Sequence, residues 1–437
     1  SHRDVKNFVS QMMGSLAFVL MIAVLIGMIA APVLIRLFAP GFDHHGGRFV
    51  LAYGMLRVTF PYLLFISMVA MSAAILNTYG MFGVPAFAPV LLNVCLIASA
   101  VWISPHFAVP VKALAWGVCV AGLVQLLFLL PFLAKKNLLP KPSWGFADPG
   151  VRRVLKLMGP AIFGVSVAQV NLLLDTVFAS FLKVGSVSWL YYSERLMMFP
   201  LGVFGVAIST VILPSLSKHV ADKDMKRYAS TLDWALRLLL LVGVPAALGL
   251  FVLSGPMLTA LFQYKAFTQY DVLMSRESLM AFSIGLPAFM MTKVLAAGFY
   301  SQKDIKTPVK IAVVAMLSNI VLNILLLVPL HHAGIALSTS LSSVLNSALL
   351  WIGLHRRKIF RANQSAWINY LMKLLVANVV MVLGLSVMAR HLSVWFSHGA
   401  FWRLSHLFLL IIAGICLYLF SLFLLKLRPR EFLQSRP

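Results

Sequence analysis

The chain has 437 residues, of which 61% are hydrophobic and 11% are charged, and its formal net charge is +24. Soluble domains average about 45–50% apolar and about 25% charged residues, so this composition excludes a soluble globular protein and indicates a membrane protein. The Lys and Arg residues stand in short segments between apolar runs rather than on one amphipathic face. That distribution argues against nucleic-acid binding and is typical of membrane topology signals.

Apolar runs of about 20 residues, each long enough to cross a hydrocarbon layer of about 30 Å, recur along the whole chain. They predict an all-α polytopic membrane protein with twelve transmembrane helices. The predicted spans are 13–38, 50–78, 84–104, 110–134, 157–182, 187–214, 229–254, 272–300, 307–329, 333–354, 367–389 and 403–425.

The basic residues between these spans orient the chain. If residue 1 is cytoplasmic, the inside loops hold 23 of the 36 Lys and Arg residues and the opposite loops hold 6. Cytoplasmic loops carry the excess of Lys and Arg in membrane proteins. The bias therefore predicts that both ends of the chain lie in the cytoplasm.

A faint internal repeat divides the chain. The matching positions are Pro32-x-Leu34-x-x-Leu37-Phe38 with Pro256-x-Leu258-x-x-Leu261-Phe262, Tyr79 with Tyr300, and Leu114, Ala115, Gln125 and Lys135-Lys136 with Ile335, Ala336, Asn346 and Arg356-Arg357. Three matches in order at offsets of 221–224 predict two parallel, pseudo-symmetric helical bundles. The predicted regions are a first lobe at 1–135, a cytoplasmic linker at 136–156, a second six-helix lobe at 157–354 and a C-terminal helix pair at 355–437.

The second lobe has two spans before its copy of the Pro32 motif, whereas the first lobe has none. We therefore expect roughly 65 residues, or two helices, to precede Ser1 in a fourteen-helix parent protein.

Several longer segments form recognisable motifs, namely Leu76-Asn77-Thr78-Tyr79-Gly80-Met81-Phe82-Gly83-Val84-Pro85-Ala86-Phe87-Ala88-Pro89, Gly185-Ser186-Val187-Ser188-Trp189-Leu190-Tyr191-Tyr192-Ser193-Glu194-Arg195-Leu196, Leu213-Pro214-Ser215-Leu216-Ser217-Lys218, Leu261-Phe262-Gln263-Tyr264 and Gly298-Phe299-Tyr300-Ser301-Gln302-Lys303-Asp304-Ile305-Lys306-Thr307-Pro308. These segments resemble the MurJ/MviN family. The resemblance covers essentially the whole chain. It implies a monomeric flippase in the bacterial inner membrane for lipid II, the lipid-linked precursor of the cell wall, within a superfamily that also exports drugs and polysaccharides.

The resemblance further implies two six-helix lobes around a central cavity, with the last two helices forming a groove for the lipid tail. The implied partners are lipid II and membrane lipids, without a cofactor. An exporter of another lipid-linked saccharide or of a drug is the alternative. A membrane glycan polymerase is less consistent, because only Asp43, Asp271 and the boundary residue Glu277 supply carboxylates near the outer face.

Arg195 is the strongest candidate for binding the substrate. A charge inside a span is unfavourable against lipid, so this side chain is expected to face water or a partner, and a guanidinium suits a diphosphate. The resemblance matches Arg195 and Lys293 to basic residues of the family, and Glu194 adjoins Arg195. A structural ion pair for Arg195 and a structural anchor for Lys293 are the alternatives. Many relatives carry a polar residue where this chain has Met198, so we expect fewer polar side chains in the lining of its cavity.

A second set of polar residues predicts an ion site. Asp175, Asn319, Asn323 and Thr339 all lie within predicted spans, where a lone carboxylate would take up a proton or gather oxygen ligands. If their helices meet, these residues supply oxygens for Na⁺, and Na⁺ or H⁺ coupling is the resulting hypothesis. The alternative is that the amides only bridge helices by hydrogen bonds.

Two histidine pairs, His44-His45 and His331-His332, fall in predicted extracytoplasmic turns. Adjacent side chains point apart, so both pairs are predicted as solvated loop residues rather than metal ligands.

Overall fold

A computed structural model describes residues 2–44, 47–139, 143–357 and 364–427. Within these ranges every regular element is helical. The helices are α1 His2–Phe38, α2 Arg48–Thr59, α3 Pro61–Thr78, α4 Gly83–Ala98, α5 Val111–Lys135, α6 Pro149–Ser180, α7 Ser186–Pro200, α8 Ala207–Ala221, α9 Met225–Val252, α10 Ser254–Phe262, α11 Gln269–Ser301, α12 Lys306–Arg356, α13 Gln364–Met388, α14 Leu392–Ser397 and α15 Ala400–Leu424.

The helices confirm the polytopic all-α prediction. Ten stretches of the described residues are long and apolar enough to cross a membrane. One of them, α12, has 51 residues and breaks at His331, where φ is 49° and ψ is −128°. At 1.5 Å per residue it is more than twice as long as one span, so it supplies two. Counting these two and the 32-residue α6 gives the twelve predicted spans.

Helix interruptions were not visible in the hydropathy pattern. The predicted span 50–78 is two helices that meet at Phe60, because Pro61 has no N–H to continue the ladder of α2. The predicted span 187–214 contains a π-helical segment, Leu201–Val206, directly after Pro200. The predicted turn between 329 and 333 is present as a tight reversal at His331, after which the second half of α12 packs back along the first, with the Ser342 hydroxyl donating to the Ala315 carbonyl at 2.6 Å.

The chain divides into two compact units, Ser1–Ala168 and Gln169–Pro437, and the division falls inside α6. The finer predicted limits of the lobes, the linker and the C-terminal pair stay predictions. Residues 140–142 of the predicted linker and 358–363 and 428–437 of the predicted C-terminal region lie outside the described residues.

In the first unit, α3, α4 and α5 pack around the fully buried side chains of Leu76, Leu129 and Leu133. The segment after α5 returns across α1. There the Ser143 backbone lies so close to Gly14 that a Cβ atom at Gly14 would come within 2.2 Å of the Ser143 carbonyl oxygen. Glycine is therefore required at this crossing.

The second unit is organised around α11, which packs against α7, α8, α9, α10 and α12. Its closest approach is at Gly285, where a Cβ atom would lie 2.6 Å from the Ser340 Cα atom of α12. The Ser340 hydroxyl donates to the Ala281 carbonyl at 2.8 Å. Small residues thus let two backbones approach closely, as is common between membrane helices.

Polar contacts fasten the C-terminal helices to α9. Near the start of α13, Trp367 Nε1 donates to Asp233 Oδ1 at 2.6 Å, and Asp233 also pairs with Arg237 at 2.8 Å. On α15, the Tyr418 hydroxyl donates to the Leu241 carbonyl at 2.6 Å. These contacts fix both helices on one side of α9.

The Gly285 contact gives a test of the packing. Replacing Gly285 by Ala forces the backbone of α12 to move, and overpacking of this kind typically costs about 1–3 kcal/mol. We expect Gly285→Ala to lower the melting temperature of the purified protein in detergent. Gly54→Ala is the matched control, because no atom lies within 4 Å of its added Cβ. Equal melting temperatures for the two variants would contradict the packing described for α11 and α12.

Asp304 lies in the loop between α11 and α12 and holds this loop against the end of α12. This carboxylate accepts hydrogen bonds from the Thr307 hydroxyl at 2.7 Å and the Thr307 N–H at 3.0 Å, and it pairs with Arg357 at 2.5 Å. The bonds from Thr307, together with Arg357, lower the pKa of Asp304 to about 2. Arg357 follows α12, so the ion pair joins the two ends of that kinked helix on one side of the membrane.

This shift predicts a pH dependence of stability. The unfolded chain binds the proton near pH 4, whereas the folded chain holds Asp304 ionised to about pH 2. The stabilisation is therefore complete above about pH 4 and is lost as the pH falls towards 2. We expect the difference in melting temperature between the wild type and Asp304→Asn to shrink over this window. A difference that stays constant from pH 6 to pH 3 would refute this account.

Candidate functional site

The four residues predicted to form an ion site lie together in the second unit. Asn323 Nδ2 donates to Asp175 Oδ1 at 2.8 Å, and the Thr339 hydroxyl lies 3.1 Å from Asp175 Oδ2. Asn319 joins them, with Oδ1 accepting from Asn323 at 3.1 Å and Nδ2 donating to Thr339 at 3.3 Å. Three elements supply the cluster, namely α6 and the two halves of α12. The predicted convergence is therefore present.

The Asn319 amide has two chemically distinct orientations in this cluster. In one, its oxygen lies 3.1 Å from Asn171 Oδ1 and 3.2 Å from Asp175 Oδ1, so three oxygens converge. With O and N exchanged, the nitrogen donates to those two oxygens and the oxygen accepts from the Thr339 N–H at 3.2 Å. The first orientation suits a cation and the second suits a hydrogen-bonded network without one.

The donor set fits a hard cation. Asn319 and Asn323 are fully buried, and Asn323 Oδ1 has no hydrogen-bond partner within the described parts of the chain. Hard cations take carboxylate and amide oxygens as ligands. Asp175, Asn171, Asn319, Asn323 and Thr339 would hold such an ion, which would neutralise the carboxylate. No group of three or more His, Cys, Asp or Glu residues suited to a transition metal occurs in the described ranges.

Arg195 lies on α7 and is exposed, whereas its neighbour Glu194 is half-buried. The guanidinium stacks over the Tyr191 ring, 4.8 Å from its centroid. Among the described residues Arg195 makes no ion pair, so no salt bridge to Glu194 is formed, and a structural pair stays the alternative to substrate binding. Its donors remain available.

A cavity of about 850 Å³ opens beside Arg195. Its walls come from α7, the π-helical segment, α9, α10, α13 and α15, and they include Phe199, Met381 and Tyr418. Arg195 is the single charged side chain among the described lining residues. The cavity therefore presents an apolar surface with one cationic group in its lining, and α13 and α15 form part of that surface.

Lys293 is not beside Arg195. On α7 and α11, Ser193 donates to the Ser275 carbonyl at 2.6 Å and Trp189 donates to Asp271 at 2.8 Å, so the helices run parallel in fixed register. Lys293 follows Ser275 by about 27 Å of helix at 1.5 Å per residue. The exposed Lys293 thus lies near the opposite end of the unit, and the predicted substrate residues do not form one cluster.

The prediction that His331 and His332 are solvated is wrong for His332. Its side chain is 3% exposed, lies 3.3 Å from the Ser278 hydroxyl and meets the Trp189 ring edge-on. The reason is that the turn at His331 is very tight, so His332 already belongs to the second half of α12, which packs against α11. Gly334 was the available signal, since a Cβ atom there would lie 2.2 Å from the Leu326 carbonyl. The His44 side chain and His45 lie outside the described residues.

Comparisons with known proteins agree with this arrangement. The family profile described as lipid II flippase MurJ matches residues 1–407. A probable lipid II flippase MurJ of Vibrio cholerae is 44% identical over 98% of this chain and 82% of its own length. Its counterpart in Haemophilus influenzae is 42% identical over 98% of this chain and 86% of its own length.

Solved structures give the same result. A lipid II flippase MurJ in an inward closed conformation has a TM-score of 0.79 and 26% identity, and the match covers 96% of this chain and 84% of that one. An inward-facing multidrug transporter of the MATE family has a TM-score of 0.67, with 82% of each chain covered. At 15% identity the second match shows a shared fold alone. By its family profile and its relatives, the chain belongs to the MurJ family of lipid II flippases.

Proposed function

We propose that this chain carries lipid II from the cytoplasmic to the periplasmic leaflet of the bacterial inner membrane by alternating access. It acts as a monomer with both chain ends in the cytoplasm. The observation that carries the proposal is the presence of Arg195 in the lining of the otherwise apolar cavity. Lipid II joins a long polyprenyl tail to a disaccharide-pentapeptide through a diphosphate. A cationic fork next to an apolar groove matches that combination of groups.

The proposed roles follow from this geometry. The apolar walls from α9, α13 and α15 would hold the tail in a lipid-like environment while the head group crosses. Arg195 would bind the diphosphate, because its planar fork pairs two oxygens and it stays charged at any physiological pH. Glu194 would orient neighbouring polar groups. Lys293, far along α11, would meet the head group at a different depth, as a second point charge along the transport path.

We also propose that Na⁺ binding at the Asp175 cluster drives the cycle. The internal repeat supports a functional reason for these polar residues. At the offset of 221, Asn319, Asn323 and Thr339 correspond to Ala98, Trp102 and Val118. The first unit therefore forms its helices without such groups, so packing alone does not require them in the second unit. Proton binding by Asp175 is the competing form of coupling.

Arg195 can be tested by growth. We expect the full-length gene to restore growth to cells depleted of their own lipid II flippase, and Arg195→Ala to fail. Losing one charge-assisted contact of this kind costs about 1.5–3 kcal/mol, or about tenfold or more in binding. Arg227→Gln is the control, because Arg227 is exposed and pairs only loosely with Asp224 at 3.4 Å. Rescue by Arg195→Ala at normal expression would remove Arg195 from the mechanism, and failure of the wild type would argue for another substrate.

The ion proposal can be tested by thermal melting in NaCl and in choline chloride. A ligand that binds only the folded state stabilises it by about 2.7 kcal/mol at a hundred times its dissociation constant. We expect Na⁺ to raise the melting temperature of the wild type and not of Asp175→Asn or Thr339→Val. Asp271→Asn is the control, because it weakens the Trp189 contact but leaves the cluster intact. An equal Na⁺ response in Asp175→Asn would exclude this site.

A further inference from the structure

Arg57 is a charged residue inside the first unit that the roles above do not use. It lies in the third turn of α2, about 14 Å along the helix from Arg48. A cation at this depth is unfavourable against lipid, so it must meet water or an anionic partner. Its side chain is exposed on the surface of its own unit. The question is therefore what holds the guanidinium there and what it binds.

Pro32 explains how the side chain is held. A proline has no N–H, so the carbonyl of Met28, four residues earlier in α1, lacks its helical donor. Arg57 Nε donates to this carbonyl at 3.1 Å. The guanidinium also lies over the Tyr53 ring, 5.2 Å from its centroid. The Nε donor and one face of the guanidinium are thereby fixed, and this sets the direction in which Nη1 and Nη2 point.

The remaining donors are unused. An arginine has five N–H donors, and the four on Nη1 and Nη2 form the fork that matches two oxygens of a carboxylate or phosphate. Throughout the described ranges, no hydrogen bond or ion pair engages these two atoms. Holding Nε in place therefore leaves a pre-oriented, unoccupied fork.

Within the described ranges no carboxylate forms an ion pair with Arg57, and Asp43 lies in the separate 3-10 helix Pro40–His44 before α2. Helices α1 to α5 contain one acidic residue, Asp4, in the first turn of α1. Arg57 faces instead a strip of aromatic rings, since Phe49 and Tyr53 lie 5.3 Å apart and Arg36 stacks over Phe49 at 5.1 Å. The unused fork of Arg57 beside these rings therefore suits an anion that comes from outside the chain.

We propose that Arg57 is a second anion-binding residue, which holds a phosphate oxyanion of the transported lipid. The proposal rests on the proposed function, because the diphosphate of lipid II supplies the oxyanion. Met28 and Pro32 act as positioning residues, since the free carbonyl fixes the guanidinium without consuming its fork. The purely structural alternative is that Arg57 exists only to satisfy the Met28 carbonyl.

Pro32→Ala separates these two roles. It restores a backbone N–H for the Met28 carbonyl, so the structural need for Arg57 disappears while its anion fork remains. If capping were the whole role, Arg57→Ala would be harmless in the Pro32→Ala background. If Arg57 binds phosphate, the double variant stays defective.

The experiment uses the full-length gene product in phosphatidylcholine nanodiscs and measures the dissociation constant of lipid II. We expect Arg57→Ala, alone and with Pro32→Ala, to weaken binding about tenfold or more. Pro32→Ala alone should weaken binding less than Arg57→Ala does, because the fork remains but its direction is no longer fixed, and Arg57→Lys should lose part of the affinity because an ammonium lacks the fork. Inorganic pyrophosphate should compete with lipid II less effectively in the Arg57 variants. Melting temperatures report whether each variant folds.

Three results would overturn the proposal. Normal binding by the double variant would reduce Arg57 to a carbonyl cap. Normal binding by Arg57→Ala itself would remove the residue from recognition. Disappearance of the defect when the nanodiscs contain phosphatidylglycerol would assign Arg57 to bulk lipid phosphates. If the wild type does not bind lipid II, the proposed function fails, yet a pyrophosphate-induced rise in melting temperature that Arg57→Ala abolishes would still support a phosphate site.

Discussion

Every backbone carbonyl inside a membrane must find a donor within the protein, because hydrocarbon offers none. Prolines make this constraint acute, since each removes the N–H that the carbonyl four residues earlier would use. Two such carbonyls are satisfied by side chains of other helices. Arg57 donates to Met28, which Pro32 frees, and Tyr418 donates to Leu241, which Pro245 frees. In both cases the bond joins helices that are distant in sequence.

The Leu241 bond has a functional consequence. It fixes α15 against α9 at the wall of the apolar cavity, and Tyr418 also lines that cavity. A second attachment, from Trp367 to Asp233, fixes the start of α13 on the same helix. A few hydrogen bonds thus fix the helices that form the wall of the cavity. Apolar contacts cannot do so alone, because contacts between helices provide little net preference over contacts with lipid. The hydrogen bonds that satisfy these polar groups therefore determine where the apolar surface of the proposed tail site lies.

Hydrophobic patterning predicted the twelve spans because the length of an apolar run is set by the bilayer. It missed the break at Phe60, because hydropathy does not report backbone direction, whereas it placed the turn at His331 correctly. The convergence of Asp175 with Asn319, Asn323 and Thr339 was predictable, since unpaired polar groups in a membrane seek one another. The different depths of Arg195 and Lys293 follow from their positions in the predicted spans 187–214 and 272–300, but the register between these helices required the Trp189 and Ser193 contacts. The burial of His332 was missed because the predicted turn is tighter than an open loop, and Gly334 was the one sequence signal for that close approach.

The number of hydrogen bonds that an arginine's guanidinium donates to the protein also distinguishes structural from functional arginines in this chain. Arg403 is 7% exposed, and its guanidinium donates to the carbonyls of Trp395, Gln263 and Phe396, which fastens α14 to α15. Arg195 and Arg57 instead rest on tyrosine rings with most of their donors unused. A ring supports a guanidinium without consuming its fork, since the attraction acts through the face of the cation. An arginine that is held but not satisfied is therefore prepared for a ligand, whereas one that is fully satisfied serves the fold.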